Sequence, residues 1–238
     1  AGYDDVMDHV DYDGWAAYVF ELIETFRAGA RTLLELGCGT GSFALALQPR
    51  GGFEYVATDQ SEAMLKVART KAAEEEIPVA FRSADFTEFD SEEPVDVVIL
   101  LYDGLNYLLE KENIRRMFRC VNRVLTEDGI FIVDQSTPAN SANNARYFRD
   151  SGQVSEFAYE RFSRYDPDSR RHTTRFDITV YGTTYREEHV QRAYTRDEVQ
   201  ALIQTAGFAI DGCFADMSRQ AATEHAERIH WVLRKEAR

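Results

Sequence analysis

The stretch Leu33-Leu34-Glu35-Leu36-Gly37-Cys38-Gly39-Thr40-Gly41 constrains this chain most. Its apolar half reads as a parallel strand buried on both faces, which requires a sheet with helices on either side. Its second half sets glycine at every second position, a turn in which backbone approaches a ligand with no Cβ in the way. The surrounding pattern agrees. Strands are predicted at 31–36, 53–58, 79–83, 95–101 and 129–134, and helices at 12–27, 40–47, 61–75 and 113–125. Helix 12–27 carries an apolar stripe of Trp15, Tyr18, Val19, Leu22, Ile23 and Phe26, and Ser61 is placed to cap the helix that follows it. Strict alternation predicts an α/β fold around a doubly wound, mostly parallel sheet.

After residue 137 the period changes. Residues 138–149 are polar and rich in Ala and Asn, a loop or short helix. Segments 156–165, 173–181 and 185–194 then alternate with period two, punctuated by Asp166-Pro167-Asp168 and Gly182. They predict an antiparallel β meander of three strands, inserted after strand five as a platform or lid. Thr195-Arg196-Asp197-Glu198 reads as a capping box opening a helix that stops at Gly207. Residues 208–214 and 229–234 read as a C-terminal antiparallel hairpin that brings the main sheet to seven strands. The expected domains are 1–137 with 195–238 as the main body, and 138–194 as the insertion.

Composition narrows the function class. The formal net charge is −14, a field that repels the phosphates of nucleic acids and anionic lipids. Arg164, Arg170, Arg171 and Arg175 alternate with Asp166 and Asp168, as on a solvated mixed-charge surface. No apolar run is long enough to span a membrane, and the first residues lack a signal-peptide pattern. Cys38, Cys120 and Cys213 are too scattered for a disulfide framework or a metal cluster, so no metal site is expected and the cytoplasm fits. The acidic surplus also fits a salt-rich habitat.

In open α/β sheets ligands bind beyond the carboxyl ends of the strands, where strand order reverses. The unusual residues gather there. Glu35 and the glycines follow strand one, Asp59 strand two, Asp85 strand three, Tyr102 to Tyr107 strand four, and Asp134-Gln135 strand five. A carboxylate after strand two can accept from both hydroxyls of a ribose. One after strand three can accept from the exocyclic amine of a purine, which Phe86 or Met64 could sandwich. The site this describes holds a nucleoside-like cofactor.

Glycine spacing decides which. A dinucleotide turn wants Gly-x-Gly-x-x-Gly, but the third glycine, Gly41, comes one residue early; a Walker loop needs a Gly-Lys pair that is absent. Glu-x-Gly-x-Gly-x-Gly after a preceding helix resembles the class I S-adenosylmethionine-dependent methyltransferases, over residues 12–137 and the final hairpin. The resemblance implies a Rossmann-like transferase with S-adenosyl-L-methionine as cofactor and S-adenosyl-L-homocysteine as product. Glu35, Gly37, Gly39 and Gly41 would cradle the methionine part, Asp59 with the adjoining Gln60 the ribose, and Asp85, Phe86 and Met64 the adenine. Tyr102 and Asn106 would border the methyl donor. The segments Tyr102-Asp-Gly-Leu-Asn106 and Tyr3-Asp-x-x-Met7 with Tyr12-x-x-Trp15 are similar to a subgroup of small bacterial enzymes whose N-terminal tyrosines close over the cofactor. The insertion is similar to that of amino-sugar and glycine N-methyltransferases, where it shapes the acceptor pocket.

Departures inform too. Adenine-N6 enzymes carry Asp/Asn-Pro-Pro-Tyr after strand four, and cytosine-C5 enzymes a nucleophilic cysteine; neither is here. The partner expected is therefore a small-molecule acceptor, methylated on nitrogen or oxygen, with no nucleic acid and no membrane; a homodimer is compatible with the chain. Catalytic residues are not legible. His189 in the meander is the first candidate base, though it equally fits one position on an alternating strand face; Tyr102 and His9 come after it. His172, His225 and His230 read as surface or strand-end residues. Tyr181, Tyr185 and Tyr194 either line an acceptor pocket or pack the meander, and Cys38 reads as a small packing residue. The alternatives are an RNA or protein methyltransferase, a cofactor-binding protein without turnover, and a nicotinamide oxidoreductase, which the glycine spacing disfavours.

Overall fold

The computed structural model describes residues 4, 7, 9–144, 148–153 and 157–236. Helix α1 (Tyr12–Phe26) precedes β1 (Thr32–Leu36), α2 (Ser42–Gly51), β2 (Glu54–Asp59), α3 (Glu62–Glu74), β3 (Ala80–Ser83) and β4 (Val95–Leu100). A 3-10 turn (Gly104–Tyr107), α4 (Lys111–Val124) and β5 (Leu125–Ser136) follow. Next come α5 (Pro138–Asn143), β6 (Arg149–Gln153), β7 (Phe157–Asp166), β8 (Arg171–Val180) and β9 (Thr183–Arg192). Helix α6 (Arg196–Gln204) and strands β10 (Phe208–Ala215) and β11 (Arg228–Lys235) complete the order.

The main sheet has seven strands in the order β3-β2-β1-β4-β5-β11-β10. Strands β1 to β5 pair in parallel, and β11 is antiparallel to both β5 and β10. Strand order reverses between β1 and β4, so the crevice beyond their carboxyl ends is where such a sheet binds ligands. The continuous apolar strands have a direct physical reason. Leu34, Val98, Phe131 and Val133 pack into a core on one face, with Phe118 and Trp231. Their immediate neighbours Leu33, Val97, Ile130 and Ile132 pack into the other, with Leu22 and Leu47. Successive side chains point to opposite faces, and both faces are covered.

The capping residues act as their types predict. Ser61 accepts from the Met64 amide at the start of α3. Thr195 and Glu198 form the reciprocal capping box of α6. Among the described residues no helix is long and apolar enough to cross a membrane.

The insertion differs from expectation in one respect. Its sheet has four strands, β6-β7-β8-β9, because Arg149–Gln153 adds an edge to β7. That segment, Arg-Asp-Ser-Gly-Gln, has no β-branched or aromatic residue, so only the ladder it completes makes it a strand. Cross-strand partners share a face. One face therefore carries Tyr165, His172 and Gln191 in one row and Ser163, Thr174 and His189 in the next. Leu125, predicted as the end of a helix, instead begins β5.

Candidate active site

The glycine turn is locked from below and open above. Gly37, Gly39 and Gly41 have φ of 70°, 54° and 77°, a region costly for any residue with a Cβ. The Cys38 amide donates to Thr58 O (2.8 Å) and the Gly41 amide to Cys38 O (2.9 Å). A Cβ on Gly39 would meet nothing within 4 Å, and one on Gly37 would lie 3.7 Å from Leu100. A Cβ on Gly41 would stand 2.9 Å from Ala68. A Cβ on the first glycine would thus meet only ordinary contacts, the second glycine faces open space, and the third faces packed protein. Cys38 is buried and burial pushes its thiol far up, as suits a packing residue.

Glu35 lies beneath the turn, 4% exposed, accepting from Tyr55 Oη at 2.8 Å. Burial pushes its carboxyl up to about 7, with the Tyr55 hydrogen bond holding it down and the Asp59 charge adding to the rise. Asp59 ties two segments together: Oδ2 accepts from the Gly39 amide (2.9 Å) and Oδ1 from the Ser61 amide (2.8 Å). Gln60 beside it is exposed, and Met64 is half-buried one turn into α3. Asp85 follows β3 and closes a tight turn, its Oδ1 accepting from the Thr87 amide (2.7 Å) and hydroxyl (2.8 Å). The Phe86 ring reaches back to Gly37, 3.9 Å from the position of a Cβ there.

The segment after β4 is the most strained part of the crevice. Tyr102 and Asp103 both hold positive φ, 57° and 64°. Two such residues in succession cost on the order of 1–3 kcal/mol each and collect at functional sites. The Tyr102 ring packs at a tilt against Trp15, centroids 5.4 Å apart, and Trp15 also meets the Phe43 ring of α2 at 6.3 Å. Trp15 is 6% exposed and so spans from the glycine-turn helix to the β4 turn. Tyr12 is half-buried on the same helix, and Tyr3 lies outside the described residues. Asn106 is buried, and its amide is taken up by protein: Nδ2 donates to Ser136 O and Arg192 O, both at 2.8 Å, and Oδ1 accepts from the Ser136 amide at 2.9 Å. It clamps the β4 turn to the ends of β5 and β9.

Two residues that the sequence pattern does not place at the site, Arg228 and His230, converge on this segment together with Asp103 and with Asp134 of β5. Arg228 of β11 lies 2.7 Å from Asp103 Oδ1 and donates to Asp134 Oδ2. Its guanidinium also covers the Trp15 and Tyr102 rings, at 5.1 and 5.8 Å from their centroids. Burial pushes the Asp134 carboxyl up to about 6, with Arg228 pulling the other way. His230, read from the sequence as a surface or strand-end residue, stands near the start of β11, where it is fully buried and accepts from Trp15 Nε1 at 3.2 Å. Burial drops its pKa to about 3, so the ring is neutral, with Nδ1–H donating to Asp216 O (2.7 Å). A histidine between Ile229 and Trp231 in an apolar strand is the one signal the chain offers for it; Arg228 has none, because its partners lie on distant segments.

The insertion carries two histidines and several arginines whose partners the structure identifies. His172 meets Ser141 Oγ of α5 at 3.0 Å through Nδ1, and burial lowers its pKa. His189, on the same sheet face, meets Tyr107 Oη at 3.3 Å. Tyr194 is buried with its hydroxyl on Leu108 O, a packing role, whereas Tyr181 is 92% exposed at a turn. Three of the four clustered arginines meet carboxylates: Arg170 meets Glu198, Arg171 Glu110 and Arg175 Asp177.

Residues 33–129 match the family described as a methyltransferase domain. A protein of Geobacillus sp. (strain WCH70), provisionally named a methyltransferase, is 29% identical over 98% of this chain and 96% of its own. The fold superposes on an S-adenosylmethionine-dependent methyltransferase of Clostridium acetobutylicum ATCC 824 with a TM-score of 0.84, at 20% identity over 98% of this chain and 95% of that one. It superposes on S-adenosylmethionine-bound CalS10, an amino pentose methyltransferase of Micromonospora echinaspora, with a TM-score of 0.74, at 20% identity over 99% and 97%. The open glycine turn and the carboxylates beyond successive strands fit that cofactor. Residues 33–129 are thus a methyltransferase domain, and the chain around them has the fold of S-adenosylmethionine-dependent methyltransferases.

Proposed function

We propose that this enzyme methylates a nitrogen or oxygen of a small molecule, held between the β4 turn and residues 138–194. The observation that carries this reading is how the insertion meets the donor end of the sheet. Its histidine-bearing face meets the segment after β4 through Tyr107–His189, and the Asn106 clamp ties that segment to Arg192 at the end of β9. CalS10, which shares the fold, acts on an amino pentose. Arg170, Arg171 and Arg175 of the insertion are paired with carboxylates, and the net charge of −14 opposes an RNA partner. The free cysteines suit a reducing, cytoplasmic setting.

In this reading Glu35 and the glycine turn receive the methionine part, Asp59 and Gln60 the ribose, and Asp85, Phe86 and Met64 the adenine. Trp15, Tyr12 and Tyr102 wall the donor end, with Asn106 holding the turn in place. S-adenosylmethionine, when bound, supplies an electrophilic methyl on a sulfonium. The chain's own residues hold acceptor and donor in line and exclude water, an alignment worth up to about 7–11 kcal/mol of the barrier. A neutral amine needs no base, while a hydroxyl gains from one, for which His172 and His189 stand on the acceptor face.

Two measurements test the proposal. S-adenosylmethionine and S-adenosylhomocysteine should each raise the melting temperature, by an amount set by about RT ln(1 + [L]/Kd); no shift with either removes the cofactor assignment. Asp59→Ala should weaken S-adenosylmethionine binding about tenfold or more, since a hydrogen bond to a charged group contributes about 1.5–3 kcal/mol. Unchanged affinity by calorimetry takes Asp59 out of the site. Turnover of small amines and amino-sugar nucleotides, set against RNA and peptides, identifies the acceptor class; binding without product from any of them favours a cofactor-binding protein.

A further inference from the structure

We infer that Arg228 and His230 on β11 are positioning residues of the donor site, holding Trp15 and Tyr102 in the orientation that receives S-adenosylmethionine. The inference rests on the proposed placement of Trp15 and Tyr102 at the donor end. Trp15 comes from the first helix and Tyr102 from the turn after β4, and neither is fixed by its sequence neighbours. The Trp15 indole is fixed by His230, whose Nε2 accepts its N–H at 3.2 Å. His230 is itself oriented by the Asp216 carbonyl at 2.7 Å, which sets the tautomer that leaves Nε2 as an acceptor.

Arg228 supplies the second constraint. Its guanidinium faces both rings, within 5.8 Å of each centroid, and cannot slide off them. Asp134 and Asp103 hold it from two other segments, and its backbone amide donates to Asp216 Oδ1 at 3.1 Å. Asp216, at φ 51°, thus serves both residues, one through its carbonyl and one through its carboxylate. The same hairpin grips α1 again where Tyr18 Oη donates to Ser218 O at 2.9 Å. The two aromatic walls of the donor end therefore share one scaffold, the β10–β11 hairpin, far from both in sequence. Rotating the indole would strand a buried N–H and a buried imidazole nitrogen together, so the ring has one favourable pose.

The test is affinity for S-adenosylhomocysteine, by calorimetry well below each variant's melting temperature. His230→Gln keeps an acceptor for the indole and a donor for Asp216, and should bind within about threefold of wild type. His230→Phe keeps a ring but loses both bonds, and should bind about tenfold more weakly. The near-ultraviolet circular dichroism change on adding S-adenosylhomocysteine should persist in the first variant and be lost in the second. Arg228→Met combined with Asp103→Asn and Asp134→Asn, which removes the cation together with both of its carboxylates, should also weaken binding about tenfold while remaining folded. If His230→Phe and the triple variant lower only the melting temperature and bind as wild type does, the two residues are core packing and the inference is overturned. Trp15→Ala separates the two readings. Weakened binding there with unchanged binding in His230→Phe overturns this inference alone, whereas unchanged binding in Trp15→Ala overturns the donor-site placement with it.

Discussion

Gly41→Ala should be the most damaging single methyl addition in the glycine turn. The new Cβ would stand 2.9 Å from the Ala68 Cβ and 3.1 Å from the Phe81 ring, and both neighbours are buried. It would also fix φ at 77°, where L residues are strained. Left-handed strain costs on the order of 1–3 kcal/mol and overpacking a further 1–3 kcal/mol or so. Against a total stability of about 5–15 kcal/mol, that is a melting temperature lower by on the order of 10 °C. Gly52→Ala is the internal control: φ is 59° but a Cβ there meets nothing within 4 Å, so only the backbone strain applies. Calorimetric scans of the two variants separate strain from contact. Equal melting temperatures would mean that Gly41 is not held against α3.

Glu35→Gln should make the protein more stable at neutral pH and less able to hold its cofactor. The Glu35 carboxyl titrates near 7 in the fold and near 4.5 when exposed, so the folded form binds its proton more tightly. A raised folded pKa means that stability is fully present below pH 4.5 and is lost as pH rises to 7. The distance between those two values sets the loss at about 3 kcal/mol. The variant cannot ionise, and its Oε1 can still accept from Tyr55, so its stability should stay nearly flat over the same range. Denaturant titrations at pH 4, 6 and 8 give the comparison, and parallel pH curves would show that Glu35 keeps its ordinary acidity in the fold. Cofactor binding should pull the other way. A cationic ligand beside Glu35 favours the carboxylate, so wild type should release a proton on binding S-adenosylmethionine near pH 6.5, and Glu35→Gln should not. Calorimetry in two buffers of different ionisation enthalpy measures that proton directly.

Gly41 and Glu35 sit in a segment whose role is legible along the chain, and the reason is local. Leu33–Leu36 and Val95–Leu100 announce themselves because a strand buried on both faces is apolar at nearly every position, Glu35 and Asp96 being the exceptions. Ser61 and Thr195 announce helix starts because their side chains act on amides three residues away. Gly37, Gly39 and Gly41 carry the turn in their spacing, and Asp59 and Asp85 stand at the strand ends where alternation puts them. All of these are local or periodic signals. β6 carries none, since a polar edge strand is made by its partner rather than by its own side chains. His230 escapes for a related reason: a strand end in sequence is not a surface in space, and this one is covered by α1.

The chain by itself determined the α/β order, the glycine turn and the line of carboxylates, because hydrophobic period and glycine conformation act within a few residues. Only the tertiary structure decided that Arg228 and His230 stand against Trp15 and Tyr102, that Asn106 clamps three elements together, and that His172 and His189 share the face turned toward the β4 turn. Those contacts join residues up to 215 positions apart. Nothing in a residue's neighbourhood along the chain encodes a partner that distant; the packing of the seven-stranded sheet brings them within reach, and burial then makes each bond costly to lose.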